Sequence, residues 1–438
     1  MQNGTAPHVS PRPEVIREED LSEDQKPPYW AVWAWVESGG KKVVPGQQDP
    51  MVLTLGGFAG TGKSTLVATL ARRVMNSKKI AFCALTGKAA GVLRRKLEVA
   101  GVELGVWHTC TTIHSLLYHA KEDPLTGIVR WTKKTMLDCD LIIVDEASMV
   151  PEPVFKDLQS FDIPILAVGD HGQLPPVKGN FNLMQHPLLK LERIHRQAAG
   201  NPIIRLSARI RDPGFDIREA LADLADGKHI RLVPKEQLKT ELTRMFKGKE
   251  PKQLFDQAVL VYTNKLRCWV NNAVRDIRHQ DLRPMPKKGE QVICLRNSNV
   301  AGPDSPRVFN GMRAYCDTGP AIVKSNDHLV LSRLVFPEEE LSVDVQMSKY
   351  QFGQEKTFGS VQDFVPFGFQ PSNWGMCGLL FDYGYALTVH KAQGSQFSDV
   401  LLCFERPRFV EPEDFRRWMY TAVTRSADRL TVVFGRDG

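Results

Sequence analysis

Apolar residues along this chain gather in short, nearly continuous runs, with stretches of helical period between them. The first half holds Val52 to Leu55, Ile80 to Leu85, Leu141 to Val144 and Ile163 to Val168. Runs this short, bounded by polar residues, are how strands buried on both faces read. Between them, Leu66, Leu70 and Val74, and then Ala89, Leu93, Leu97 and Ala100, recur at the spacing of one helix face. Strands alternating with helices predict an α/β fold around a parallel sheet, with functional residues at the carboxyl ends of its strands. Lys63, Thr86, Asp145 and Asp170 all follow such runs.

The pattern starts again after Asp256, with Ala258 to Tyr262, Val400 to Phe404 and Leu430 to Phe434. Residues 288–378 interrupt it with a mostly β texture: Gln291 to Leu295, an Asn310-Gly311 hairpin cue, and the aromatics Phe352, Phe358, Phe364, Phe367 and Trp374. Those rings suit a core first and base stacking second. The expected organisation is a loose tail over 1–17, a first α/β domain over 18–195, a second domain in two parts, 196–287 and 379–438, and an inserted β domain over 288–378. Within the first domain, Leu117 to Lys133 reads as a β-hairpin around Asp123-Pro124-Leu125-Thr126-Gly127, with Trp131 on its second arm.

The chemistry begins at Gly57-Phe58-Ala59-Gly60-Thr61-Gly62-Lys63-Ser64, between a strand run and a helical run. That spacing is a P-loop, whose backbone N–H groups and helix N-terminus cradle phosphates. Gly57, Gly60, Thr61, Gly62, Lys63, Ser64 and the adjoining Thr65 are the expected nucleotide contacts. Asp145 and Glu146 end the third strand run; Asp145 with Ser64 suits Mg²⁺, and Glu146 can activate a water. Gln173, Arg196 and Arg425 are candidates for sensing and neutralising the γ-phosphate. Upstream, Gln25 carries an amide able to read adenine.

Composition narrows this little. The chain has 438 residues, a net charge of +7 and eight cysteines, none in a Cys-x-x-Cys pair. Two to four domains, a mild preference for polyanions, and core thiols rather than a zinc site are expected. Without a leader or a membrane-length apolar run, the expectation is a cytoplasmic protein, of a bacterial cell or of a host cell for a phage gene.

The motif order carries more. P-loop, Thr86-Gly87-Lys88, Thr112-Ile113-His114, Asp145-Glu146-Ala147-Ser148, Gly169-Asp170 with Gln173-Leu174-Pro175-Pro176, His195-Arg196-Gln197, Thr388-Val389-His390-Lys391-Ala392-Gln393-Gly394 and Val423-Thr424-Arg425 resemble the motif series of superfamily 1 helicases. Lys391 to Ser395 and the hairpin before Asp145 look most like the RecD/Dda branch, and the length is close to that of phage Dda helicases. The resemblance implies two RecA-like P-loop NTPase domains, a hairpin pin and an inserted small β-barrel. It implies ATP and Mg²⁺, 5′→3′ movement on single-stranded DNA, and opening of single-strand/duplex junctions in replication, recombination or repair, beside proteins of those processes. Thr86, Lys88, Thr112, His114, Trp131, Asn264, Thr388, His390 and Lys391 are its DNA contacts, and Gly394 lies by the nucleotide. Gln396 stands where many relatives have Glu, which leaves its role open. A silent DNA-binding subunit is the rival class, against which the intact Lys63, Asp145, Glu146, Arg196 and Arg425 stand. An RNA helicase of the same superfamily is the second rival.

Overall fold

The computed structural model describes residues 17–122, 129–175, 181–194, 200–212, 214–280, 283–299, 307–405 and 410–434. The strands of the first half are β1 (Val52–Gly57), β2 (Ile80–Ala84), β3 (Thr109–Thr112), β4 (Tyr118–Glu122), β5 (Val129–Lys133), β6 (Leu141–Asp145), β7 (Ile165–Gly169) and β8 (Leu189–Leu191). Six of them form one parallel sheet in the order β3-β2-β6-β7-β1-β8. Every residue of β1, β2 and β7 is buried, as continuous apolar runs require of strands covered on both faces. Leu66, Leu70, Val74, Leu93 and Leu97 pack one face; Ile113, Leu117, Phe155 and Leu158 pack the other.

A second parallel sheet is built from β9 (Ile230–Pro234), β10 (Gln257–Val261), β19 (Ala386–Thr388), β20 (Phe397–Phe404) and β21 (Ser426–Phe434), ordered β19-β10-β20-β21-β9. The intervening strands are β11 (Gln291–Cys294), β12 (Ser298–Asn299), β13 (Arg307–Val308), β14 (Arg313–Cys316), β15 (Ala321–Val323), β16 (Asn326–Phe336), β17 (Leu341–Ser348) and β18 (Phe381–Tyr383). All but β12 and β13 belong to an antiparallel sheet, β15-β16-β14-β11-β18, with β17 on the other side of β16. Its two ends meet: Leu379 N–H donates to Gln346 O at 2.9 Å and Ser348 N–H to Leu379 O at 3.0 Å. One core runs from Val259 and Leu401 of the parallel sheet into Val292, Ala314 and Val330 of the antiparallel one. The inserted sheet is therefore packed onto its host rather than tethered to it.

Two expectations change. Asn310-Gly311 does make a turn, with Gly311 at φ +93°, but the strands it joins do not pair with each other. β13 pairs β12, and β14 pairs β11 and β16, which bury Val292, Leu334 and Phe336 with it. Strand pairing also carries the inserted sheet past residue 378: β18 pairs β11, and the chain re-enters the parallel sheet only at Ala386. β4 and β5 form a separate antiparallel hairpin that puts Trp131 opposite Ala120. Of the five aromatics, Phe352 and Phe364 are core, and Phe358 and Trp374 pack on Phe364. Phe367 is half exposed and stacks on Tyr350 at 5.1 Å. No helix among the described residues is long and apolar enough to cross a membrane.

Candidate nucleotide and nucleic-acid sites

The P-loop leaves β1 and enters the helix Lys63–Val74 at its first turn. Gly60 and Gly62 adopt φ of +78° and +80°, the left-handed region that glycine enters without a steric cost. A Cβ on Gly57 would stand 2.6 Å from Thr61 Oγ1. The loop is thus drawn tight, with Lys63 Nζ donating to Gly57 O at 2.5 Å and Phe58 O at 2.9 Å. Thr61 Oγ1 donates to Phe58 O. Those carbonyls are the groups that phosphate oxygens would replace at Lys63, so the residues present fit a nucleotide's phosphates.

A cavity of about 430 Å³ opens above the loop, and both parallel sheets line it. From the first come Gly60, Gly62, Lys63, Ser64, Thr65, Asp145, Glu146, Asp170 and Gln173. From the second come Gly394, Ser395, Gln396, Thr424 and Arg425. Glu146 has φ +51°, a strained value for a residue with a side chain, and it lies just past the end of β6. Burial, and then Asp145 beside it, push its acid above the usual carboxylate range, while Arg425 and Lys63 pull the other way. Gln173 is buried, and among the described residues its Oε1 has no partner. A buried unpaired amide oxygen facing a phosphate site is a costly arrangement that a ligand or a domain shift can relieve. Arg425 is buried and held by the carbonyls of Thr421 and Ser395, each at 3.1 Å.

The sheets are joined beside this cavity by residues that motif spacing did not single out. Tyr420 Oη donates to Asp170 Oδ2 at 2.7 Å and accepts from the P-loop N–H of Ala59 at 2.9 Å. Leu174 N–H donates to Thr421 Oγ1, and Gln393 Nε2 donates to Leu174 O. Tyr420 and Thr421 lie five and four residues before Arg425, which was their one signal in sequence. Gln25 is buried against the P-loop: its Nε2 donates to Thr61 O at 3.3 Å, and its Oε1 accepts from Ser22. It does not line the 430 Å³ cavity.

The remaining candidates sit at strand ends. Thr86 follows β2 and caps the helix Gly87–Val99, accepting from Ala89 N–H at 3.2 Å. Thr112 ends β3 and caps the helix Ile113–Leu117 through Ser115 N–H. His114 and His390 are half-buried, and burial lowers the pKa of both. Asn264 opens the helix Asn264–His279, capped by Thr263, which sequence reading passed over. Thr388 ends β19, and Lys391 Nζ reaches Asn310 Oδ1. Lys88 stands apart from this group. It lines the P-loop cavity, is buried, and pairs with Glu338 at 3.1 Å. As the second residue of the helix that Thr86 caps, it is turned inward. Arg196 lies outside the described residues, as do the side chain of Trp131 and the turn of its hairpin.

Residues 46–235 match the AAA domain family, and residues 383–433 the UvrD-like helicase C-terminal domain. The ATP-dependent RecD2 DNA helicase of Deinococcus radiodurans is 29% identical over 400 residues, 86% of this chain and 46% of that protein. The RecBCD enzyme subunit RecD of Mycolicibacterium smegmatis is 28% identical over 88% of this chain and 68% of its own length. Along most of its length the chain is similar to helicases of the RecD-like branch of superfamily 1. It spans just under half of the Deinococcus protein. The fold is also that of two Pif1 helicases on forked double-stranded DNA (TM-score 0.51, 16% identity, 94% of this chain and 91% of that one). A Bacteroides Pif1 with ADP-AlF3 and single-stranded DNA is as similar, at a TM-score of 0.50, 16% identity and 94% and 92% coverage. A RecD-like helicase fold accounts for both parallel sheets and for the cavity they share.

Proposed function

We propose that this chain is an ATP-dependent DNA helicase that moves 5′→3′ along single-stranded DNA and opens duplexes ahead of it. One observation carries the reading: a P-loop from one parallel sheet and Arg425 from the other line the same cavity. A nucleotide bound there would be sensitive to how the two sheets close. Ser64 and Asp145 are the residues that would hold Mg²⁺, which supplies charge neutralisation on the phosphates. Lys63 exchanges backbone carbonyls for phosphate oxygens. Glu146, with its raised proton affinity, takes the proton of the attacking water. Arg425, and Arg196 by motif position, neutralise the charge that develops.

Thr86, Thr112 and His114 on one sheet, with Asn264, Thr388, His390 and Lys391 on the other, grip the strand in turn. The hairpin with Trp131 is the pin that parts the duplex, and the inserted sheet, whose ends meet at Leu379, is a small barrel. Single-strand/duplex junctions are the substrate, within replication, recombination or repair. Duplexes carrying either a 5′ or a 3′ single-stranded tail test the polarity: opening is expected from the 5′ tail, and efficient opening only from the 3′ tail overturns it. Trp131→Ala is expected to slow strand separation while DNA-stimulated phosphate release stays within about twofold; a loss of both, or of neither, counts against the pin.

A further inference from the structure

The turn joining β16 to β17 leaves the inserted sheet and ends at the nucleotide cavity. Glu338 lines that cavity together with Lys63, Lys88 and Arg95. Its carboxylate pairs with the buried Lys88 at 3.1 Å, and its carbonyl accepts from Arg95 Nη1 at 2.5 Å. Nearby, Phe309 of the same insert packs on Gly87, where a Cβ would come within 2.7 Å of the ring. The insert thus touches the first sheet's Gly87–Val99 helix at Gly87, Lys88 and Arg95, while its main core is shared with the second sheet.

We propose that Glu338 and a nucleotide's phosphates compete for Lys88, so that triphosphate binding releases the insert's acidic turn from the first domain. The proposal rests on the nucleotide-binding part of the reading above and not on unwinding. A buried ammonium has one place to go. Glu338 and a triphosphate are both anionic and share about 430 Å³, where partial exclusion of water leaves their repulsion poorly screened. Phosphates that draw Lys88 toward them take away the ion-pair partner of Glu338 and leave it Arg313 and Arg95 as weaker cationic neighbours. The turn then has reason to withdraw, and the insert stays with the second sheet through the common core. The neighbouring Glu339 shows that the docked turn is held at a cost: its Oε2 is buried and unpaired among the described residues. Burial, and then Glu338 beside it, raise that acid. Nothing in the sequence signals this role, since Glu338-Glu339-Glu340 reads as an exposed acidic turn.

The test is binding of a fluorescent, non-hydrolysable ATP analogue to the full chain without DNA, with amide hydrogen exchange read in parallel. Glu338→Gln is expected to tighten the analogue by about fivefold or more, because a competitor is removed. Glu340→Gln, in the same turn but exposed, is expected to leave affinity unchanged. In the wild type, exchange over residues 337–340 is expected to accelerate on adding the analogue. Equal or weaker affinity in Glu338→Gln overturns the proposal, and so does exchange that stays constant or slows. The wild-type exchange measurement decides alone should the variant not fold. A wild type that binds no analogue overturns the nucleotide site itself and this proposal with it. Binding by the wild type with no gain in Glu338→Gln overturns this proposal alone.

Discussion

The two parallel sheets run the same circuit. In the first, β1, a helix, β2, a helix and β3 come in turn, and β6, a helix and β7 then fill the space between β2 and β1. In the second, β9, the helix Leu238–Phe246, β10, the helix Asn264–His279 and β19 do the same, and then come β20, the helix Pro412–Val423 and β21. Corresponding strand ends carry corresponding residues. Thr86 and Thr263 each cap the helix that follows, with a bond of 3.2 Å to the third helical N–H. Thr112-Ile113-His114 ends one edge strand and Thr388-Val389-His390 the other. The loops differ. After β1 come two left-handed glycines and Lys63; β9 ends on Pro234 and runs straight into a 3-10 turn, Lys235–Gln237. One sheet holds a hairpin between its edge strand and β6, and the other holds the antiparallel insert before β19. The shared scaffold thus carries the proposed grip residues in duplicate and the phosphate cradle in one copy, as the proposed helicase with one nucleotide site would require.

The largest expected effect separates the two loops. Lys63→Ala should lower DNA-stimulated phosphate release by about 10²-fold or more, the usual loss when a charge on the transferring phosphate is removed. Lys235→Ala, the lysine at the equivalent place, should stay within about twofold. Similar losses in both would mean that the second sheet also carries a nucleotide and that the asymmetry is mistaken. Next come the duplicated grips. His114→Ala and His390→Ala should each weaken single-stranded DNA by about 5–10-fold in a fluorescence-anisotropy titration. If the grips alternate, the two losses differ in size between the ADP state and a triphosphate-analogue state, in opposite senses. Equal losses in both nucleotide states would leave two contacts but no alternation.

How much of this was readable from sequence follows the same division. The first sheet announced itself because its strands are apolar runs and its loops are glycine-rich. β9 escaped because Ile230-Arg231-Leu232-Val233-Pro234 mixes an arginine and a proline into a short strand, and Arg231 reaches out to Glu241 at 2.8 Å. β3 escaped because Thr109-Cys110-Thr111-Thr112 has an edge strand's polarity. The cavity's two walls were readable as motifs, but the bonds between them were not. Tyr420 and Asp170 are 250 residues apart, and no local pattern joins them. The surroundings of Lys88 were hidden for a related reason. A lysine after Thr-Gly reads as a strand-end phosphate contact, whereas the helix register buries it against an insert that the sequence shows only as β texture.

That cross-link gives an intermediate effect. Tyr420→Phe keeps the ring and removes the hydroxyl that holds Asp170 and Ala59 together. The Ala59 N–H then loses its acceptor and Asp170 Oδ2 its shorter donor, with Gln173 Nε2 left at 3.4 Å, a loss of about 1–3 kcal/mol. The melting temperature should fall by about 2–4 °C, and phosphate release by several-fold. An unchanged melting curve would show that the two sheets are not held together here.

The smallest effect tests the acidic turn by which the insert reaches the first domain. Burial, and then Glu338, push the Glu339 acid up to about 7, against the pull of Lys88 and Arg95. The folded chain therefore binds more protons at this site than the unfolded chain between the ordinary glutamate range and about pH 7. Stability from this group is present at the acid side of that window and is lost as pH rises through it. Glu339→Gln, which cannot ionise, should melt with the wild type near pH 5. It should melt about 1–2 °C higher near pH 8, where the wild type must bury a charge. A difference of the same size at both pH values would assign the effect to packing rather than to ionisation. A lower melting temperature for the variant near pH 8 would mean that the charged carboxylate is stabilised in the docked turn, and that Lys88 and Arg95 hold both acids rather than one.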